Sequence, residues 1–497
     1  MHNEDTLVFG NGKNISTQTD KDRVNTFGFT EDQKKAYLGL IEFINEPFNP
    51  SDYRRALVGP GGVGKTFLLK SIIQNCNVPF SKIGISAPSH KACRVLRTNL
   101  IGTHTNVNTI QSDFGFRPNF DIEKFDERNV QFAKSGRIKV EDYSIYIIDE
   151  SSMLNKSLVN YINKTLSAQH CKVIYVGDDH QIPPVNEYES TAFKGIKTYR
   201  LTQIVRQDND NPIRKLCDML RYDIEHYTFT FLEYLCKHHE EYDATMTKGF
   251  KVCGAAEFQR QVNLQFSDEA ITHNTDYVKV IAYTNRCVSD WNKYIRETII
   301  KDADKSVITT NDLITSYITI VDDFNDAIIR NSEDYIVKSI ANYTHPKYEI
   351  KGFMVKFQAV YGGAVTSPLF VIDHRDKYSV QMYCKISKDL IEQAQNADRY
   401  KRAAKWKEYF KFKESCLLLI NLVRSDGTVL HYRNLDYGFS VTAHKAQGST
   451  YNVSMVDIND IVYDKNGHPY QNAKDINKRL YVAISRAKEK VIMKYGY

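Results

Sequence analysis

Ala56-Leu57-Val58-Gly59-Pro60-Gly61-Gly62-Val63-Gly64-Lys65-Thr66 leads into Phe67-Leu68-Leu69-Lys70-Ser71-Ile72-Ile73. Three apolar residues run into a glycine-rich stretch, which runs into apolar residues at helical spacing, so the segment reads as strand, loop and helix. Gly59 to Thr66 fits G-x-x-x-x-G-K-[ST] in the context that this pattern requires. Glycines let the backbone curl until successive N–H groups face one point, and the helix N-terminus adds partial positive charge there. The chemistry served is polyphosphate binding. Gly59, Pro60, Gly61, Gly62, Val63 and Gly64 form the cradle, Lys65 reaches the β- and γ-phosphates, and the Thr66 hydroxyl ligates Mg2+.

Further along, Ile145 to Ile148 is a second strand-like run and ends in Asp149-Glu150. An acidic residue at the carboxyl end of a neighbouring strand is where P-loop folds hold Mg2+. Asp149 is therefore a metal candidate, and Glu150 is placed to polarise an attacking water as general base. A bare Asp-Glu pair is common at solvated strand ends; the loop upstream gives this one its weight. A third run, Val173 to Val176, enters Gly177-Asp178-Asp179-His180-Gln181, where Gln181 could sense the γ-phosphate or orient water. The strands alternate with helical stretches (Phe67–Ile73, Lys91–Leu96, Lys156–Leu166), the pattern of an α/β fold with a parallel sheet.

Composition narrows the class. A chain of 497 residues is long enough for about three domains. Hydrophobic residues at 42% and charged residues at 25%, with only 24 Gly and 12 Pro, argue against a disordered or fibrous chain. No apolar run approaches the ~20 residues that a membrane helix needs. Met1 to Thr26 is polar, without the apolar core of a signal peptide, and reads as a mobile tail. Nine cysteines without a C-x-x-C pair argue against a zinc ribbon or a disulfide framework and suit a reducing, cytoplasmic compartment. A net charge of +6 permits nucleic-acid binding without requiring it. The 32 Tyr and 25 Phe serve mainly packing, and some could be stacking platforms for bases.

Further blocks recur in order. Phe29-Thr30-Glu31-Asp32-Gln33-Lys34 precedes the phosphate loop; Ser86-Ala87-Pro88-Ser89-His90-Lys91-Ala92 and Thr109-Ile110-Gln111-Ser112 follow it. Asp149-Glu150-Ser151-Ser152-Met153 and Gly177-Asp178 through Gln181-Ile182-Pro183-Pro184-Val185 come next. The second half adds Leu201-Thr202-Gln203-Ile204-Val205-Arg206, Ala282-Tyr283-Thr284-Asn285-Arg286 to Asn292, Val441-Thr442-Ala443-His444-Lys445-Ala446-Gln447-Gly448-Ser449 and Tyr481-Val482-Ala483-Ile484-Ser485-Arg486-Ala487. The set resembles the superfamily 1 helicases, their RecD-like branch, and within it the Dda-like helicases of bacteriophage. The resemblance runs from Phe29 to about Tyr495, with residues 207–275 and 300–430 matching poorly.

That resemblance implies two RecA-like P-loop motor domains with a small β-rich pin insertion and an SH3-like barrel insertion. After a flexible tail, 1–26, domain 1A would comprise 27–112 and 141–205, the pin subdomain 1B 113–140, domain 2A 206–310 and 437–497, and domain 2B 311–436 with a basic helical insertion. ATP and Mg2+ would sit between the motor domains. Gln33 would read the adenine edge, Gly448 would border the nucleotide, and Lys65, Glu150, Gln181, Arg206 and Arg486 would carry the catalysis. Single-stranded DNA would meet Pro88, His90, Lys91, Thr109, Gln111, Thr442, His444 and Lys445; Gln111 stands where the family usually has His. The activity implied is ATP-dependent 5′-to-3′ translocation and duplex unwinding in phage-type replication, recombination or repair. The protein would act as a monomer in the cytoplasm, that of the host if viral, at single strands and duplex junctions, with a single-strand-binding protein or replisome component as a further partner. A nucleic-acid-stimulated translocase or switch that does not unwind, and an RNA helicase of the same superfamily, remain the alternatives.

Three stretches fall outside those blocks. Asp113 to Tyr143 is a polar insertion carrying Phe114, Phe116, Phe120, Phe125 and Phe132, and reads as a small β-rich subdomain. By the resemblance it holds a pin that splits the duplex, with Phe132 either its wedge or part of the insertion's own core. Gly352–Phe357 and Ser367–Ile372 read as strands of the small barrel, and Asp398 to Lys413 as a helix with seven basic residues among aromatics. That helix is either a solvated face packed on the barrel or a surface for a strand or partner. His226, His238 and His239 lack ligand spacing and read as surface residues.

Overall fold

The computed structural model describes residues 28–103, 105–116, 125, 136–184, 187–203, 211–322 and 327–496. The tail Met1–Thr26, Phe120, Phe132, Val185 and Arg206 lie outside the described residues.

The first half builds one parallel sheet from β1 (Arg54–Val58), β2 (Ile83–Ala87), β3 (Asn106–Thr109), β4 (Ile145–Ile148), β5 (Lys172–Gly177) and β6 (Lys197–Arg200), in the order β3-β2-β4-β5-β1-β6. β4 and β5 are buried along their whole length, as near-continuous apolar strands must be when helices cover both faces. Alternate residues serve the two faces. Leu57, Ile85, Ile147 and Ile174 pack under helices Glu31–Asn45, Lys65–Asn75 and His90–Asn99. Tyr146, Ile148, Val173 and Tyr175 pack with helix Lys156–Ala168 and with Phe114, Phe116 and Phe125. Three of the five insertion phenylalanines are thus core residues.

The second half starts β7 (Glu240–Tyr242), β8 (Gly249–Cys253) and β9 (Val278–Ala282). The chain then departs into an antiparallel sheet of β10 (Leu313–Ser316), β13 (Asp334–Thr344), β14 (Lys351–Ala359), β15 (Leu369–Ile372) and β18 (Leu435–Tyr437), ordered β15-β14-β13-β10-β18. Two-stranded ribbons, β11 (Ile320–Val321) with β12 (Ala327–Ile329) and β16 (Leu422–Val423) with β17 (Val429–His431), decorate it. A helical hairpin, Lys377–Asn396 and Arg399–Ser415, follows β15. The chain returns as β19 (Ser440–Thr442), β20 (Tyr451–Asp457) and β21 (Ala487–Lys494), giving a second sheet ordered β19-β9-β20-β21-β8-β7, parallel except for β7. His226 and His238 are exposed and stack on Tyr222 and Tyr234. All nine cysteines are free, and no described helix is long and apolar enough to cross a membrane.

Candidate active site

The glycine-rich loop leaves the carboxyl end of β1. Gly64 takes a left-handed backbone (φ 80°), and the helix Lys65–Asn75 begins without a side-chain cap, so its first N–H groups are left for a ligand. Gly59 is wedged: its N–H donates to the Gly177 carbonyl at 3.1 Å, and a Cβ there would meet the Leu201 carbonyl oxygen at 2.5 Å. A Cβ on Gly61 would meet nothing within 4 Å, so the open side of the loop lies there. Lys65 Nζ donates to the Gly59 and Pro60 carbonyls at 2.6 and 3.0 Å, folded over the loop. Gln33 is fully buried beneath it: the Thr30 N–H donates to Gln33 Oε1 at 3.1 Å, and Gln33 Nε2 donates to the Val63 carbonyl at 2.8 Å. In this arrangement its amide supports the loop from within and caps its own helix.

Asp149 and Glu150 follow β4. The Asp149 N–H donates to the Ser86 carbonyl at 2.8 Å, and the Glu150 N–H donates to Asp149 Oδ1 at 2.9 Å. Glu150 has φ 52°, a left-handed conformation that costs a non-glycine residue about 1–3 kcal/mol and concentrates at functional sites. Burial pushes both carboxyls above their usual range; the Asp149 charge pushes Glu150 further, while Arg486 and Lys65 pull it back. Two crowded carboxyls at the end of one strand supply hard oxygen donors of the kind that Mg2+ takes, and the Thr66 hydroxyl of the phosphate loop is another. Asp149 and Thr66 would hold it, leaving Glu150 to face a water.

The second half closes over this site. Gly448 (φ 69°) backs onto Glu150: a Cβ there would stand 3.8 Å from Glu150 Oε1. Gln447 Nε2 donates to Gln181 Oε1 at 3.5 Å and to the Ile182 carbonyl at 3.1 Å. The Tyr481 hydroxyl donates to Asp178 at 2.7 Å, and Lys478 Nζ reaches the Asp179 carbonyl at 3.3 Å. Arg486 is 7% exposed; its Nη1 donates to the Ser449 carbonyl at 3.3 Å, and its Nε has no partner among the described residues. Arg206 lies outside the described residues.

Sequence reasoning passed over His180, which sits among Asp178, Asp179 and Glu225, the last at 2.9 Å. Burial alone would lower its pKa, but the three carboxylates raise it to about 10. Arg200 adds a two-pronged bond to Asp179 at 3.0 and 2.6 Å. The signal was the Asp-Asp-His run in a block already singled out.

Pro88, Thr109 and Thr442 stand at the carboxyl ends of β2, β3 and β19. Thr109 and Thr442 cap short helices, accepting from the Ser112 and Lys445 N–H groups at 3.3 Å each. Gln111 Oε1 is buried without a partner among the described residues. Lys445 Nζ lies 3.2 Å from the centre of the Tyr317 ring. Burial lowers the pKa of both His90 and His444 to about 4, helped by Arg330 and Arg97 at the first and Arg479 at the second, so both rings are neutral at physiological pH. Lys91 departs from an open nucleic-acid face: its ammonium pairs with Asp276 at 2.9 Å, with side chains only 13% and 14% exposed. The Tyr361 hydroxyl donates to the same carboxylate, and Arg94 lies 3.5 Å from the Tyr361 ring centre and 3.2 Å from Glu333. The helix His90–Asn99 is thereby tied to the second half.

A family model described as an AAA domain matches residues 42–234. The chain is 23% identical to an uncharacterized protein of Acanthamoeba polyphaga mimivirus, over 93% of this chain and 99% of that one. It is 27% identical over 137 residues to the ATP-dependent DNA helicase Pif1 of Psychrobacter, a match covering 26% of this chain and 19% of that one. Among solved structures it is similar to Pif1 helicase from Candida albicans (17% identity, 94% of each chain, TM-score 0.46). It is likewise similar to Pif1 helicase from Bacteroides in complex with ADP-AlF3 and ssDNA (15% identity, 94% of this chain and 92% of that one, TM-score 0.46).

Proposed function

We propose that the chain is an ATP-driven DNA helicase of superfamily 1 that moves 5′ to 3′ on single-stranded DNA. The observation that carries the reading is the cleft: a phosphate loop and paired carboxyls on one sheet, with Gln447, Gly448 and Arg486 of the other half brought against them. The partial likeness to an ATP-dependent DNA helicase points the same way.

On this reading Lys65 leaves the Gly59 and Pro60 carbonyls to meet the phosphates, and Glu150 takes a proton from the attacking water. A bound Mg2+ supplies charge neutralisation at the β- and γ-phosphates. Arg486 neutralises the transferring phosphoryl group only when the halves close, a contribution of ~10³–10⁵ in rate in related P-loop systems. Gln447 against Gln181 makes the nucleotide state visible to the segment Thr442–Lys445, and closing and opening then step the strand. The two six-stranded sheets are the motor domains 1A and 2A, the antiparallel sheet is the SH3-like 2B, and residues 113–140 hold the pin, with Phe132 its wedge. In a virus-derived setting the site of action is the host cytoplasm.

Two short duplexes, one with a 5′ and one with a 3′ single-stranded tail, test the reading. ATP-dependent unwinding of the 5′-tailed duplex alone is expected. Unwinding of neither, with strand-stimulated hydrolysis intact, would make the protein a translocase or switch.

A further inference from the structure

The helix Arg399–Ser415 carries seven basic side chains and two acidic ones, whereas the whole chain has a net charge of only +6. The other residues together are close to neutral, so nearly all of the chain's net positive excess falls on this one element. Its inner face is fixed: Phe412 is 1% exposed and packs on Tyr383 with ring centres 5.1 Å apart, beside Ile350, Phe370 and Cys416. Its outer face is open. Tyr400, Ala403, Lys407 and Lys411 follow helical spacing along it, all exposed, with Tyr400 at 96%. Arg399 and Lys401 are exposed at the hairpin tip, and Phe410 lies 45% exposed beside Trp406.

We propose that this helix docks on the phosphate backbone of double-stranded DNA, an inference that rests on the helicase reading for its place at a junction. Charge complementarity carries it. Exposed cations from Arg399 to Lys411 span about 18 Å of helix, against a duplex that presents one charge per ~1.7 Å of axis. Ala403 and Ala404 leave nothing taller than a methyl in the middle, so a phosphate strand can approach the helix closely between the flanking cations. Shape selects the duplex over a single strand: unstacked bases want a groove with an aromatic floor, whereas this element is a convex rod. It also stands on the antiparallel sheet, on elements separate from the glycine-rich loop and the strand ends that carry Pro88, Thr109 and Thr442.

The test uses the full chain and a Lys407→Glu/Lys411→Glu variant, both positions being exposed and outside the core. Binding to a blunt DNA duplex and to a single strand is measured across a salt series, with strand-stimulated ATP hydrolysis alongside. Duplex affinity is expected to fall about tenfold or more, and the slope of log K against log salt to flatten by about two. Single-strand affinity and stimulated hydrolysis are expected to hold. Unchanged duplex affinity, or no duplex binding by the wild type, overturns the proposal and leaves an acidic protein as the occupant. Equal losses on both substrates overturn it in favour of a single-strand track. Absence of strand-stimulated hydrolysis in the wild type would strike the helicase reading while the duplex comparison stays interpretable.

Discussion

Gln33 holds the phosphate loop from beneath, through Thr30 on one side and Val63 on the other. Gln33→Met keeps the length and apolar volume but strands the buried Val63 carbonyl and the half-buried Thr30 N–H. Stability should drop by about 1–3 kcal/mol, read by denaturant unfolding, with a weaker apparent affinity for ATP because the loop loses its support. Unchanged stability with poorer ATP binding would mean that the amide serves the ligand alone. At this scale the sequence was only half readable. Gly59 to Thr66 declares its geometry because glycines and a following helix leave few other conformations. The capping half of Gln33 was also there to be read, in Thr30 followed three residues later by Gln. Its bond to Val63, 30 positions away, was not, since local pattern carries no information about which backbone carbonyl a buried amide meets.

The segment after β5 gathers Asp178, Asp179 and His180 against Glu225 and Arg200. His180 has a folded-state pKa raised from 6.5 to about 10, so its contribution to stability is complete below about pH 6.5 and drains away as pH climbs toward 10. Thermal unfolding of wild type and His180→Gln should therefore differ most near pH 6, with the gap shrinking steadily and closing only as pH passes through about 10; a gap that widens with pH would refute the assignment. Elements themselves were legible where apolar pattern is strong. Ile145 to Ile148 forms a strand over that span, and the basic segment forms a helix displaced by only a residue or two from the sequence reading. Its companion, Lys377–Asn396, left no clear mark. Ser379, Ser387 and Ala394 take buried positions on it beside Tyr383, and small or polar residues do not draw the apolar stripe by which a helix is recognised.

The two halves are joined by contacts that no linear reading could pair, Lys91 to Asp276 across 185 positions and Gln181 to Gln447 across 266. A double-mutant cycle of Lys91→Met and Asp276→Asn should return a coupling of about 1–3 kcal/mol, and additivity would show that Lys91 is free to serve a nucleic acid instead. The antiparallel sheet and its helical hairpin hang from one edge of the second sheet: the outgoing lead follows the helix Asn285–Ile299, and the returning lead enters β19, the parallel neighbour of β9, where Asn292 Oδ1 of that helix accepts from the Phe439 and Ser440 N–H groups. The returning lead is short. β18 ends at Tyr437, β19 occupies Ser440–Thr442, and Gln447 already touches Gln181. In mechanical terms the appendage is a lever whose pivot is linked to the candidate cleft by β19 and the short helix after it. A pull applied to its far end by a docked duplex is delivered, within ten positions of chain, to the contact between Gln181 and Gln447. On the proposed helicase reading, a motor built so would register load at its hydrolysis site, slowing when the track resists without any separate sensor.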